Sequence, residues 1–585
     1  MPSTIFLRSF FPVAAWFVLL TGFGVSFVKA EEFKPFLKLQ IPSPAALFDI
    51  VEKVSAVVDT EDASGLKANL ASFKDLPGLE PTGTINLALQ ANENSALFGL
   101  DFLILLPIND LAQLDITGLP DEFMLALTFL QMAEPTDGKY VLPTPFGVIT
   151  AYQKSGYFLI ATEGAAASAE SADRQKLFAE VDQFTFGVHF DWENVSAESI
   201  GTALGIFTAL PLMLGMDIGG DSTGGTFDIE ALLQSITDLR DEYSVFTAGV
   251  ALEPETLDLT GTIQIAPKQG SVWAEKILRL KNTETKLGAF VPETPQTVLA
   301  YHCLDYYTDK EIDELGTTLE IIGESFVEGL YDVLEEEESG VQLAQAAELF
   351  LEYAGEVLGL LAENRLVDYT VWLDSEGTFL FAIGTDKTAA ITKLGEEYFG
   401  SLLEIFGGES GRTVIEAKTK KDYETIAGYS LSSVPNLFAD LPESVELPDA
   451  VKNIPLSLFC AVKEGEAVVY AAGLDFAKTE AALKDALAKA ATSEPPKQTL
   501  VFAFQPFGEL LQKQVLPLFE QAGLEYEYGK PAAAKFADAD AGAKVVMTTE
   551  FSGDACHYNF HVSGKVWLTA LEVLAGGFTM ESNAE

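Results

Sequence analysis

The sequence predicts an α+β protein made of two tandem repeats, each a mainly antiparallel sheet with helices packed on one face. Three observations lead there. Paired short segments with alternating apolar residues mark β-hairpins. Hairpins predominate and crossover helices are interspersed, which favours antiparallel sheets covered by helices. The same order of features also occurs twice along the 585 residues.

The first thirty residues read as a targeting segment. Arg8 supplies a short positive region, and Phe10 to Phe27 is largely apolar. Val28-Lys29-Ala30 then offers the small residues that a signal peptidase reads, ahead of Glu31-Glu32. The competing reading is a retained anchor, since this stretch approaches a spanning length. The acidic start at Glu31 favours cleavage, so the mature chain is expected to be exported, periplasmic or extracellular, and soluble. Residues 31–282 form the first expected repeat, 283–295 a linker, and 296–585 the second repeat.

Within the first repeat, Thr84 to Leu89 and Leu97 to Leu105 pair across a turn at Asn92-Glu93-Asn94. A second hairpin, Phe146 to Tyr152 with Tyr157 to Ala161, precedes an Ala-rich helical segment, Ala165 to Val181. A strand from Phe184 to Phe190 and a helical stretch near Ala197 to Leu210 follow. The last hairpin, Val245 to Leu252 with Leu257 to Ile265, leads into Gly270-Ser271-Val272-Trp273 and a helix from Ala274 to Leu280.

The second repeat opens with a longer helical region. Leu319, Ile322, Phe326, Leu330 and Leu334 recur at helical spacing, and a turn at Ser339-Gly340 separates them from a helix over Val341 to Leu361. The hairpins Val367 to Leu373 with Thr378 to Ile383, and Leu456 to Val462 with Ala467 to Ala471, match those of the first repeat. A helix from Phe476 to Ala491, a strand from Thr499 to Phe504 and a helical stretch from Phe507 to Ala522 come next. The hairpin Val545 to Phe551 with Cys556 to Val562 then ends in Gly564-Lys565-Val566-Trp567. Trp273 and Trp567 are thus the first matched pair to compare.

Net charge is −51, and two units more negative without Arg8 and Lys29. Such a surface excludes nucleic acid and anionic membrane surfaces as main partners. Hydrophobic content of 48% and aromatic content of 11% nevertheless require a packed core. Acidity then reads as a surface property, or as a site for cations or basic partners. Three cysteines, Cys303, Cys460 and Cys556, are too few for a disulfide framework and read as buried apolar residues.

Chemistry-bearing strings are few. Gly220-Asp221-Ser222-Thr223-Gly224 fits the nucleophile-elbow spacing, but it sits in a Gly/Asp-rich loop rather than between a strand and a helix. The same loop carries Asp217, Asp221, Asp228 and Glu230, which are the calcium candidates; the regular calcium-loop spacing is missing. Asp538 and Asp540 form a shorter case. Cys556-His557-Tyr558-Asn559-Phe560-His561 suggests a metal cluster until it is placed on a strand. His557 and His561 then share a face about 13 Å apart, too far for one ion. His189 alternates with a run of apolar residues, which places it on the opposite, wetter face. No catalytic or organic cofactor-binding residue is assigned.

The signal segment, the repeated Gly-x-Val-Trp and the order of hairpins and helices resemble those of uncharacterised exported bacterial proteins built from two diverged α+β halves. That resemblance implies a fold and lends no activity. The function expected is a non-enzymatic binding or structural protein, holding a hydrophobic small molecule or an exported protein partner. Its alternatives are an exported hydrolase using acidic residues and a calcium-stabilised cell-surface protein. The apolar segments Ala203 to Met216 and Leu349 to Leu361 are the pocket candidates, with core packing as the competing use.

Overall fold

Alternating apolar residues over Ile85–Ala91 (β2) and a nearly continuous apolar run over Leu100–Leu106 (β3) build a hairpin in which Asn86 pairs with Leu105 and Ala88 with Leu103. This hairpin is at the centre of the strands of the first of two compact units. A computed structural model describes residues 33–55, 77–92, 100–114, 134–194, 239–287, 294–317, 338–439, 452–490, 498–517 and 529–567, apart from a few positions within them and a few isolated residues elsewhere. Two compact units divide between Ala274 and Glu275, with Gly553–His557 grouped with the first.

In the first unit, Leu37–Ile41 (β1), Lys139–Thr144 (β4), Gly147–Lys154 (β5), Tyr157–Thr162 (β6), Phe186–Asp191 (β7), Tyr243–Leu252 (β8) and Leu259–Pro267 (β9) complete the sheet. Every pairing is antiparallel, in the order β4-β5-β6-β3-β2-β1-β7-β8-β9. One face buries Phe102, Ile104, Ile149, Phe158 and Ile160. The other buries Ala88, Leu103, Leu105 and Leu159 beneath Phe178 and Val181, which follow the short helix Arg174–Leu177 (α1). Each large apolar side chain so buried contributes about 1.5–3 kcal/mol of transfer free energy.

In the second unit, the strands are Thr297–Tyr306 (β10), Leu366–Asp374 (β11), Phe379–Gly384 (β12), Lys420–Ile426 (β13), Tyr429–Val434 (β14), Ser457–Lys463 (β15), Ala467–Gly473 (β16), Gln498–Ala503 (β17) and Lys544–Ser552 (β18). Their order is β13-β14-β15-β16-β12-β11-β10-β17-β18, again all antiparallel. Over eight strands it runs in step with the first unit: β14-β15-β16-β12-β11-β10-β17-β18 beside β4-β5-β6-β3-β2-β1-β7-β8. Edge strand β13 has no counterpart in that series, and Ala555–Val562 (β19) follows β18.

A continuous row of directly opposed residues runs through eight strands of each unit. One row of directly opposed residues in the first unit reads Lys139, Tyr152, Leu159, Leu105, Asn86, Gln40, Gly187, Gly249. The corresponding row in the second reads Leu431, Ala461, Val469, Ala382, Thr370, His302, Thr499, Thr548.

Helices cover both faces of the second sheet, which corrects the expectation of one covered face. Phe476–Ala490 (after Val272–Lys281, α2, Glu338–Ala362, α3, and Thr388–Lys418, α4, this is α5) places Leu483, Ala486 and Leu487 on Leu380, Ala382, Val469 and Ala471. Strand alternation sends the intervening residues Ile383 and Val468 to the opposite face. There they meet Val357 of α3 and Ile391 of α4. Both faces are apolar because both are roofed. Ser339-Gly340, expected to be a turn, lies in the first turn of α3 instead. Within Leu349 to Leu361, Val357 and Leu360 meet the sheet and Tyr353 stacks on Tyr398 of α4 at 4.9 Å, while Phe350 is exposed. Among the described residues, no helix is long and apolar enough to cross a membrane.

Candidate functional site

Strand β1 reads Leu-Lys-Leu-Gln-Ile, so Lys38 and Gln40 fall on one face. That face is not wet. Lys38 is 8% exposed, Gln40 3% and Asn86 0%. Buried polar groups of this kind must find partners, and Arg174 of α1 supplies most of them. Its Nε donates to Asn86 Oδ1 at 3.0 Å, and its Nη2 donates to Thr84 Oγ1 at 2.7 Å and Gln40 Oε1 at 3.3 Å. Nη1 pairs with Asp182 at 2.8 Å, and the guanidinium sits 5.3 Å from the Tyr157 ring centroid. Asn86 Nδ2 donates to Gln40 Oε1 at 2.9 Å, while Gln40 Nε2 donates to the carbonyl of Phe184.

Beside this network, Lys38 Nζ meets Glu180 at 2.7 Å and His189 Nδ1 lies 2.8 Å from Thr247 Oγ1. His189 is buried, against the expectation of a wetter face, because α1 and the segment after it cover that side of the sheet. Burial holds its imidazole below the ordinary value, so it is neutral at pH 7. Burial alone would raise Glu180, but the hydrogen bond and charge of Lys38 outweigh it and hold the carboxyl low.

The matched face of the second unit is polar at the same register with different residues. His302, in the row position of Gln40, is fully buried and lies 2.9 Å from Thr370 Oγ1. Asp368, also buried, accepts from Thr285 Oγ1 at 2.9 Å and from the backbone N–H of Lys286 at 2.7 Å. The chain leading into β10 thus does here what Arg174 does in the first unit.

The opposite face of β10 carries Tyr301, Cys303 and Asp305 at alternating positions. Lys276 of α2, 5% exposed, sits between Asp305 (3.2 Å) and Glu311 (2.7 Å). Its Nζ is 5.5 Å from the Tyr307 ring centroid. Burial raises Asp305 despite Lys276, whereas the Lys276 hydrogen bond overcomes burial at Glu311 and lowers it. Burial, helped by the Asp305 charge, pushes the Cys303 thiol up to about 12. Gln498 Nε2 lies 3.7 Å from its sulfur.

On the flank of α2 is an open groove of about 470 Å³, lined by Leu278, Arg279, Asn282, Thr283, Tyr306 and Leu366. Leu278 is 60% exposed there. Arg279 lies over the Tyr306 ring at 4.6 Å and is neutralised by Glu275 at 2.6 Å. The groove thus offers apolar and aromatic surface with little net charge.

The residues singled out in the sequence fare differently. Asp217, Asp221, Asp228 and Glu230 lie outside the described residues, as do Ser222 and Ala203 to Met216. Among the described residues, no group of three or more His, Cys, Asp or Glu is placed to hold a metal ion. Cys303 and Cys556 are buried, Cys460 is partly buried, and the three are not bridged to one another. Trp273 packs against Tyr243 with centroids 5.7 Å apart, and Trp567 is half-buried. The Lys38–Gln40–Asn86–Arg174 network was not foreseen, since its members are scattered and β1 looks amphipathic. Comparison with protein-family models, curated proteins and solved structures found no match.

Proposed function

We propose that this chain is an exported, non-enzymatic scaffold built from two diverged copies of one α+β unit, and that it binds a protein partner or an apolar ligand. The eight-strand order recurs in the two units while the buried polar chemistry does not. In its row Gln40 takes the place that His302 takes in the second unit, and Asn86 that of Thr370. A catalytic function inherited by both copies would need the same reacting groups at matched positions. What the two units share instead is the job of tying a neighbouring segment to the sheet: α1 in one, the Thr285–Lys286 segment in the other. Those groups act as fastenings.

For the binding role, the groove beside α2 supports the reading. Leu278, Leu366 and the Tyr306 ring offer apolar contact, and Arg279 carries no surplus charge. Protein purified from its native compartment should release a bound apolar molecule, seen by mass spectrometry of the extract, or cross-link to a partner through residues lining this groove. Leu278→Asp should weaken either association at least tenfold. A hydrolytic turnover abolished by a single substitution in either polar cluster would sink the scaffold reading.

A further inference from the structure

We propose that Lys276 and Asp305 become joined by a side-chain amide (isopeptide) bond that forms spontaneously in the folded second unit, with Glu311 moving the proton. This goes beyond the scaffold reading and stands or falls independently of it.

Lys276 Nζ lies 3.2 Å from Asp305 Oδ1, which sets the nitrogen beside the carboxyl group it would attack. Glu311 Oε1 is 2.7 Å from the same nitrogen. Its second oxygen accepts from the backbone N–H and the hydroxyl of Thr308 at 2.8 and 2.9 Å, which holds the first oxygen on Lys276. The three groups are therefore positioned before any reaction. Lys276 is carried by a helix and Asp305 by an inner strand of the sheet.

Lys276 is 5% exposed, with the Tyr307 ring beside its ammonium. A site that excludes water favours a condensation that expels water, and it weakens the charged starting pair relative to the neutral product. The two carboxyls are also pushed apart, Asp305 upward by burial and Glu311 downward by Lys276. That separation assigns the roles: the group that holds a proton more readily is the acyl donor, and the group that stays ionised is the base.

The step balances without a cofactor. Glu311 takes a proton from the Lys276 ammonium, and the freed Nζ attacks Cγ of Asp305. A C–N bond forms, and the nitrogen gives up its second proton to the departing oxygen; with the proton that Glu311 returns, that oxygen leaves as water as its Cγ–O bond breaks. One ammonium and one carboxylate become one amide and one water. Nothing is oxidised or reduced.

Peptide mapping of the denatured full-length chain decides the matter. Tryptic digestion should give no cleavage after Lys276, together with a branched peptide containing Lys276 and Asp305. Its mass should be one water below the sum of its parts. Glu311→Gln, which cannot take the proton, should lose the branched peptide while folding is retained by circular dichroism. Cleavage after Lys276 with both wild-type peptides at full mass overturns the bond, and that result requires no variant to fold. A branched peptide in undiminished yield from Glu311→Gln overturns the shuttle, and with it the mechanism proposed.

Discussion

Asp368 fills the space that a side chain at Gly384 would need: a Cβ on Gly384 would stand 2.4 Å from Asp368 Oδ2. The missing Cβ lets the buried carboxylate sit against β12 and reach Thr285 and Lys286. Gly384→Ala should therefore displace Asp368 and leave a buried charge poorly paired. A loss of about 2–4 kcal/mol is expected, read as a lower urea midpoint at constant slope. A midpoint within experimental error of wild type would show that Asp368 can retreat freely.

Gly164 and Asp101 repeat this arrangement in the first unit, where an added Cβ would meet Asp101 Oδ2 at 2.2 Å. Gly164→Ala should destabilise by a similar amount. Because Asp101 also accepts from Asn92 at 2.6 Å, the double variant Gly164→Ala/Asn92→Ala should cost less than the sum of the singles. Strict additivity would mean that the two contacts are independent.

Removing Arg174 should be costly, because Asn86, Gln40 and Thr84 each lose a hydrogen bond from it and Asp182 loses its ion-pair partner. Arg174→Met is expected to lose about 2–4 kcal/mol. Arg174→Lys should recover less than half of that, since one ammonium cannot reproduce the planar fork. Full recovery by lysine, measured by chemical denaturation, would mean that charge alone matters at this position.

Stability of the first unit should fall with acid in two stages. Folding depresses His189 below its ordinary 6.5, so the unfolded chain binds a proton that the folded chain resists. Stability therefore drops as pH falls from about 6.5 towards the folded value. Glu180 is held below 4.5 by Lys38, and its contribution, present above that value, disappears as pH falls through the lower folded one. His189→Gln should remove the upper stage and leave the lower. An unchanged difference in unfolding free energy between about pH 7.5 and pH 5.5 in that variant would refute the assignment.

The thiols of Cys303 and Cys460, both raised to about 12 chiefly by burial, should resist alkylation in the native protein at pH 8. Buried Cys556 should resist it as well. A colourimetric thiol assay is expected to give close to zero before denaturation and three groups after it. Rapid native labelling of Cys303 would contradict its place in the sheet.

Much of the fold was legible because hairpins are local. Alternation and a nearby turn suffice for Gly147–Lys154 with Tyr157–Thr162, and for Ser457–Lys463 with Ala467–Gly473. Helix α5 was legible for the same reason, with its apolar residues recurring at helical spacing. The 31-residue helix α4 was not. Gly395, Gly400, Gly407, Gly408 and Gly411 lower its intrinsic propensity, and its packing on α3 overrides that weakness. Strand β13 escaped notice because its lysines and acids suit an exposed edge, and little apolar alternation marks it.

The sequence by itself determined most of the hairpins and helix α5, since those depend on neighbours one to four residues away. It also determined that a core must form in spite of the acid. Only the tertiary structure decided what that core encloses. Lys38 and Gln40 alternate with leucines as a solvent-facing row would, yet α1 and Glu180 arrive from about 140 positions downstream and bury them. Lys276 is likewise one lysine among many until β10 brings Asp305 beside it. Burial of a polar side chain is set by whatever segment packs over it, and no local pattern records that segment's arrival.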